Sequence, residues 1–471
     1  LKVAMAVVDL SARHEAERVR LLHAACRDEV AKPFDLAVGP LVRATLVRLA
    51  PDRQLLLLTL HHICADAWSL GILLADLAAL LGGAAPAGLP PQRTSYADFA
   101  RWLRERLSGP ARPALLGYWR ERLSGAPEVI ALPFDRPRPP VQSFAGAMRS
   151  FQVPEAVAAD LRRLAARSHA TPFMVLLAAF DILLARYSGC MDFVVGTPYA
   201  NRSRPEHEAV VGLVANTLAL RFRLSGDPSF LDVLDHVRET SLSAYEHADM
   251  PFERLVAELQ PARARDHTPV FQVLFALQNT PTLASARALS GDAILPDPDS
   301  LFATAKFDLS LLMGETPDTY VGSFEYSTDL FDAATIESML ASFQTLLRSI
   351  AAKPSAPMSR LSLLDAAGRR DLLDACAPPP VCAPGCVHDA VADRIARSGP
   401  AVALRGGGQA LSYAQLGERA DALARALAAH GVATGGRVGV LMAREPLAMI
   451  AVLAILKAGA AFVPLDPHLP E

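Results

Sequence analysis

An α/β fold is predicted by three features of this 471-residue chain. A short apolar run, Leu55–Leu60, stops at a polar loop and is followed by leucines at helical spacing. From about Phe144 to Leu364, segments of helical periodicity alternate with shorter apolar segments of strand length. An apolar fraction of 51% supplies large cores and excludes disorder as the main state.

Taken in order, Leu55–Leu60 reads as a buried strand that ends in a loop. Leu70, Leu73, Leu74, Leu77 and Leu80–Leu81 place a helix from near Ser69, with Ser69 as its cap. Gly82–Gln92 is rich in Gly, Ala and Pro, and Pro133–Pro140 is too proline-dense for regular structure. Between these breaks, Tyr96–Trp102 and Tyr118–Leu123 carry aromatic residues at helical spacing. A new unit opens near Phe144. Val157, Leu161 and Leu164 mark one helix, and Pro172 introduces a largely buried one over Phe173–Tyr187. Phe193–Gly196 and Leu218–Phe222 read as strands. Ala375–Gly385, with four prolines and no charge, has the composition of a linker. Beyond it, helices over His388–Ile395, Tyr413–His430 and Pro446–Lys457 and a strand over Arg437–Met442 open a second α/β unit.

The charge is nearly balanced, 46 basic residues against 49 acidic, with no basic stripe, which weighs against nucleic acid as a partner. The longest apolar run, Leu447–Leu456, is about ten residues and too short to cross a bilayer, so no membrane association is expected. The chain opens on Leu1 with no targeting segment and reads as an internal piece of a longer, cytoplasmic protein. Six scattered cysteines fit a reducing compartment. Cys376, Cys382, Cys386 and His388 cluster, but their spacing matches no two-pair zinc pattern, and no metal is expected.

The chemistry concentrates at His61-His62, at the end of an apolar strand. On a strand the two rings point to opposite faces, so only one faces a given cavity. Asp66, four residues beyond His62, is placed to fix the loop. A neutral imidazole there suits proton abstraction. By itself, however, such a pair is more often two satisfied polar groups at a strand end.

The residues around the pair decide between these readings. His61–Ser69 (HHICADAWS) resembles the HHxxxDGxS signature of the condensation-domain superfamily of nonribosomal peptide synthetases. Further segments come in the family's order. Tyr96–Trp102 (YADFARW) resembles YxDxAxW, Val211–Arg221 (VGLVANTLALR) resembles GxFVNTxxxR, and His247–Glu253 (HADMPFE) resembles HQDxPFE. Arg265–Phe271 (RDHTPVF), Lys306–Leu309 (KFDL) and Phe331–Ile336 (FDAATI) are similar to later family segments. After the linker, Leu411–Leu416 (LSYAQL) and Leu456–Asp466 (LKAGAAFVPLD) resemble the first two core motifs of adenylation domains.

The resemblance implies a two-lobed, chloramphenicol-acetyltransferase-like fold. Residues 1–140 would be an N-terminal lobe lacking its first family motifs, 141–370 the C-terminal lobe, 371–386 a linker and 387–471 the start of an adenylation domain. It also implies amide-bond formation between two carrier-bound thioesters. The partners would be upstream and downstream peptidyl carrier domains, each presenting its substrate on a 4'-phosphopantetheine arm, and no cofactor would be bound directly. ATP and Mg would concern only a complete adenylation domain, and adenylation is not expected of this chain. By position His62 matches the catalytic histidine, which accepts the amine's proton or orients the amine. His61 and Asp66 match structural positions, with Asp66 held by an arginine elsewhere. Ser69 closes the signature. Ala67 replaces the family's glycine, which would matter if that position needed a positive φ. Asn216 is readable either as a turn residue or as a substrate-tunnel contact, and His247 as a packing or capping residue. An epimerization domain of the same fold and a non-catalytic carrier-docking module are the alternatives.

Overall fold

The order of strands β1 (Met5–Asp9), β2 (Val42–Ala50) and β3 (Arg53–Leu60) in a three-stranded sheet reflects their connections. β1 and β2 are parallel, linked by helix α1 (Glu15–Ala31), whereas β2 and β3 are antiparallel neighbours. The computed structural model describes residues 3–260, 264–278, 303–376, 385–443 and 445–467, which divide into two units, Leu1–Leu372 and Leu373–Glu471. Leu10, Leu22, Cys26, Val47 and Leu49 form the small core under the first sheet. The run Leu55–Leu60 is a strand but not a buried one. Among the described residues β3 pairs with β2 alone, and Leu56 is exposed.

The larger core belongs to a six-stranded sheet of order β4-β9-β8-β7-β5-β6. Its strands are β4 (Gly146–Gln152), β5 (Asp192–Tyr199), β6 (Asn216–Arg223), β7 (Val273–Gln278), β8 (Leu309–Glu315) and β9 (Tyr320–Ser327). β7 runs parallel to both β5 and β8, and the other neighbours are antiparallel. Helix α6 (Pro172–Ser188) is buried on every side from Met174 to Ala185, as the apolar composition of Phe173–Tyr187 predicts. Thr171 caps it by accepting the Met174 N–H at 3.3 Å, and Gly189 ends it at φ 70°. Phe180 on α6 lies 6.0 Å from Phe275, 6.2 Å from Phe324 and 6.4 Å from Phe343, ring centre to ring centre, joining helices to sheet. Helices α3 (Tyr96–Ser108) and α4 (Ala111–Leu123) send Leu107, Leu115, Trp119 and Leu123 into this same core.

Asp181 interrupts the apolar surroundings of α6. It is 3% exposed, and its Oδ1 has no hydrogen-bond partner. Burial pushes its carboxyl well above the ordinary carboxylate range. The folded chain therefore holds a proton that the unfolded chain releases near the ordinary value of 3.8. Stability from this group is complete below that value and is lost as pH rises through the folded-state value. Asp181→Asn, which cannot ionise, should gain stability over the parent as pH rises from about 5 to about 8 in urea titrations. A difference that stays constant across that range would reject the assignment.

In the second unit, β10 (Val402–Gly406) and β11 (Gln409–Ser412) form a hairpin closed by Gly407 and Gly408, at φ 54° and 74°. Two positive φ angles in a two-residue loop match the twist of the flanking strands, which is why a glycine pair sits there. Parallel strands β12 (Arg437–Leu441) and β13 (Ala461–Leu465) are joined by a helix over Pro446–Lys457. The helix over Tyr413–Ala429 starts with a Ser412–Gln415 capping box. A helix runs over Ala366–Cys376, so residues 371–376 of the expected linker are helical. Cys386, His388 and Asp389 place ligand-type atoms within 4.8 Å of one another, and Cys382 lies outside the described residues. Among the described residues no single helix is long and apolar enough to cross a membrane.

Candidate functional site

β3 ends at Leu60, and the chain turns at once through a single 3-10 turn, His62–Cys64. His61 caps that turn. Its Nδ1 accepts the Ile63 N–H at 3.1 Å, and its ring stands edge-on to Phe34 at 5.8 Å. The two histidines are thus separated by a turn and not by the alternation of a strand. His62 is exposed, and its ring makes no hydrogen bond among the described residues.

Two residues beyond Cys64, Asp66 caps helix α2 (Ala67–Leu81) with φ −99° and ψ 178°. The cap expected at Ser69 is therefore corrected. The helix starts at Ala67, and Ser69, fully buried, donates its N–H to Asp66 Oδ1 at 2.8 Å. Asp66 wins the cap because its second oxygen faces across the unit, where only a charged acceptor satisfies what it meets. Arg202 donates Nη1 to Oδ2 at 2.8 Å and Nη2 to Oδ1 at 3.0 Å. The backbone N–H groups of Val214 and Ala215 donate to Oδ2 at 3.0 and 2.9 Å. Both side chains of this pair are 2% exposed. Burial opposes ionisation of Asp66, but the hydrogen bonds from Arg202 and Ser69 and the Arg202 charge outweigh it and hold the carboxyl below its ordinary value. Ser69 Oγ completes the clamp, 2.7 Å from Asp66 Oδ1 and 2.9 Å from the Gly212 carbonyl, while accepting the Gly212 N–H at 3.0 Å.

The arginine expected somewhere in the chain is therefore Arg202, just after β5, in a segment that returns through Gly212 to β6. The loop at the end of the first sheet is bolted to the loop between two strands of the second. Ala67 opens α2 in helical geometry and is absent from the non-glycine residues with positive φ, so an alanine meets no backbone penalty there. Trp68 donates Nε1 to the Glu208 carbonyl at 2.9 Å, with the Arg202 guanidinium 5.7 Å from its ring centre.

The remaining motifs are ties within the larger core. Asn216 donates Nδ2 to the Ala248 and Met250 carbonyls at 2.8 and 2.7 Å and accepts the Thr217 and Phe252 N–H groups at 2.8 and 3.0 Å. Its amide is spent on fixing the 247–252 segment to β6. His247 ends helix α8 (Phe230–Glu246) and stacks on Tyr118 at 3.9 Å. Arg221 binds both oxygens of Asp192 at 2.7 Å. Asp308 of the KFDL segment pairs with Arg138, whose Nη1 lies 2.9 Å from its Oδ1, giving the proline-dense stretch an anchor the sequence did not reveal.

A clamped His-His loop between two sheets, in this order of motifs, agrees with the family comparison, in which the condensation domain model matches residues 1–373. The chain belongs to the condensation-domain family. Beyond this condensation domain, the AMP-binding enzyme model matches residues 391–471. Over 98% of its length the chain is 43% identical to phosphinothricin tripeptide synthetase of Streptomyces viridochromogenes, of which it spans 43%. It is 42% identical, again over 98% of its length, to a linear gramicidin synthase component of Brevibacillus parabrevis, of which it spans 9%. A four-domain nonribosomal peptide synthetase bound to AMP and glycine has the same fold, with a TM-score of 0.74 and 26% identity, covering 100% of this chain and 36% of that one. The X-domain from teicoplanin biosynthesis aligns with a TM-score of 0.66 and 26% identity over 77% of this chain and 82% of its own.

Proposed function

We propose that this condensation domain joins two carrier-bound substrates through an amide bond. The amine of an aminoacyl thioester, carried on a downstream phosphopantetheine arm, attacks the carbonyl of an acyl or peptidyl thioester on an upstream arm. The N–C bond forms, the C–S bond breaks, the amine's proton passes to His62, and the upstream thiolate leaves and is protonated. One observation carries this reading. His62 is exposed with its ring uncommitted, on a loop whose neighbour Asp66 is among the most heavily hydrogen-bonded groups described. A base must be held yet accessible, and a free ring on a fixed turn meets both needs. In this proposal Asp66, His61 and Ser69 hold the loop, and Asn216 sets the neighbouring segment without touching substrate.

The test is direct. The chain is mixed with two carrier domains, one loaded with an acyl or peptidyl thioester and the other with an aminoacyl thioester, and the downstream arm is weighed by mass spectrometry. A mass gain equal to the donor acyl group less the one hydrogen it replaces is expected. Loaded carriers that persist without transfer would overturn the proposal, and inversion of the tethered residue without a mass gain would mark an epimerization domain instead.

A further inference from the structure

The segment Tyr96–Trp102 lies outside the His62 loop. It forms the first two turns of α3, capped by Ser95, which accepts the Asp98 N–H at 3.2 Å. Tyr96, Phe99 and Trp102, three residues apart, share one face of the helix. The chain that leaves Arg202 is seated on that face. His207, 2% exposed, fits between Phe99 and Trp102 with ring centres 5.1 and 4.7 Å away. Val210 and Val214 bury themselves against Phe99.

Gly212 makes the closest approach. A Cβ added there would lie 2.2 Å from Cδ2 of Tyr96, a separation no side chain tolerates. The same residue holds the clamp on its other side. Its N–H donates to Ser69 Oγ at 3.0 Å, and its carbonyl accepts the Asp66 N–H at 3.3 Å. The Tyr96 ring and the His62 loop thus grip the two sides of one residue.

We infer that Tyr96 and Gly212 are positioning residues for His62. The aromatic face of α3 is a seat that fixes residues 202–215, and those residues supply the partners of Asp66 and Ser69. This inference rests on the reading of His62 as the base, and its test is built to fail separately from that reading.

Gly212→Ala, Tyr96→Ala and the double variant are made in the full chain. Each is monitored by the rate of amide formation and by backbone hydrogen exchange over residues 61–69 and 212–215. Gly212→Ala should lower kcat by about tenfold or more, with a smaller change in KM, because misplaced groups lose rate before they lose binding. Exchange over residues 61–69 should quicken in the same variant. The double variant should return both readouts toward those of Tyr96→Ala, since the ring that the new methyl strikes is gone. Unchanged exchange over 61–69 in Gly212→Ala, or a double variant no better than Gly212→Ala, would overturn the inference. If the parent chain forms no amide at all, the base assignment fails, and the exchange pattern alone decides whether the seat exists.

Discussion

Arg202→Ala is expected to destabilise the Leu1–Leu372 unit by about 3–5 kcal/mol, the cost of leaving one charge of a buried ion pair alone. The size comes from the surroundings. Asp66 is 2% exposed in its side chain, so water cannot replace the two guanidinium bonds that the variant loses. The Val214 and Ala215 N–H groups and the N–H and hydroxyl of Ser69 remain, but four neutral donors do not balance a buried carboxylate as a guanidinium does. Arg202→Lys should recover only part of the loss, because one ammonium cannot reach both oxygens with the geometry of the fork. Asp66→Ala with Arg202→Ala should cost less than the sum of the single changes, since neither charge is then stranded. Urea unfolding of these variants and the parent measures all of this, and a loss below about 1 kcal/mol in Arg202→Ala would show that the pair does not clamp the loop.

The same pair sets an acid limit. The Asp66 carboxyl is held below its ordinary value of 3.8, so its stabilisation is present above that value. It is lost as pH falls through the lower, folded-state value. Asp181 has the opposite sign, so its contribution fades as pH rises. The two groups therefore respond to opposite ends of the pH scale.

The boundaries of α6 and of the Pro446–Lys457 helix were legible in the sequence because a proline at the start and a long, mostly apolar run leave one local solution. Less legible was the burial of Leu55–Leu60. An apolar run reports what could be covered, and β3 has a partner on one side only among the described residues. The strands flanking Gly407-Gly408 were not expected, because their apolar pattern is short and weak and only the glycine pair marks the turn. The cap of α2 shows a different kind of limit. Asp66 and Ser69 are both good caps by type, and the choice falls to Arg202, 136 residues away, through a bond that no periodicity records. The His-His pair was visible as chemistry, but its turn was not. The strand stops with the apolar run at Leu60, so the alternation of faces does not extend to the two histidines.

His62→Ala should lower amide formation by about 10²-fold or more, within the range of about 10²–10⁴ that a positioned base contributes. The substitution is close to ideal as a test. The ring is exposed and makes no hydrogen bond among the described residues, so stability should change by less than about 0.5 kcal/mol. The loss should fall in kcat and not in KM, since the carriers bring both substrates whether or not the proton has an acceptor. A residual rate should survive, because two tethered reactants held face to face keep the advantage of proximity. His61→Ala separates the two histidines. It removes the acceptor of the Ile63 N–H and the edge contact with Phe34, so it should act by loosening the turn, with a measurable loss of stability. Arg202→Ala, by contrast, should reduce activity only as far as it unseats the loop. A base is recognised by that combination: a large loss of rate, a small loss of stability and an unchanged KM. Equal product from the parent and His62→Ala, at equal carrier loading, would assign the proton to another acceptor and leave the clamp as scaffold alone.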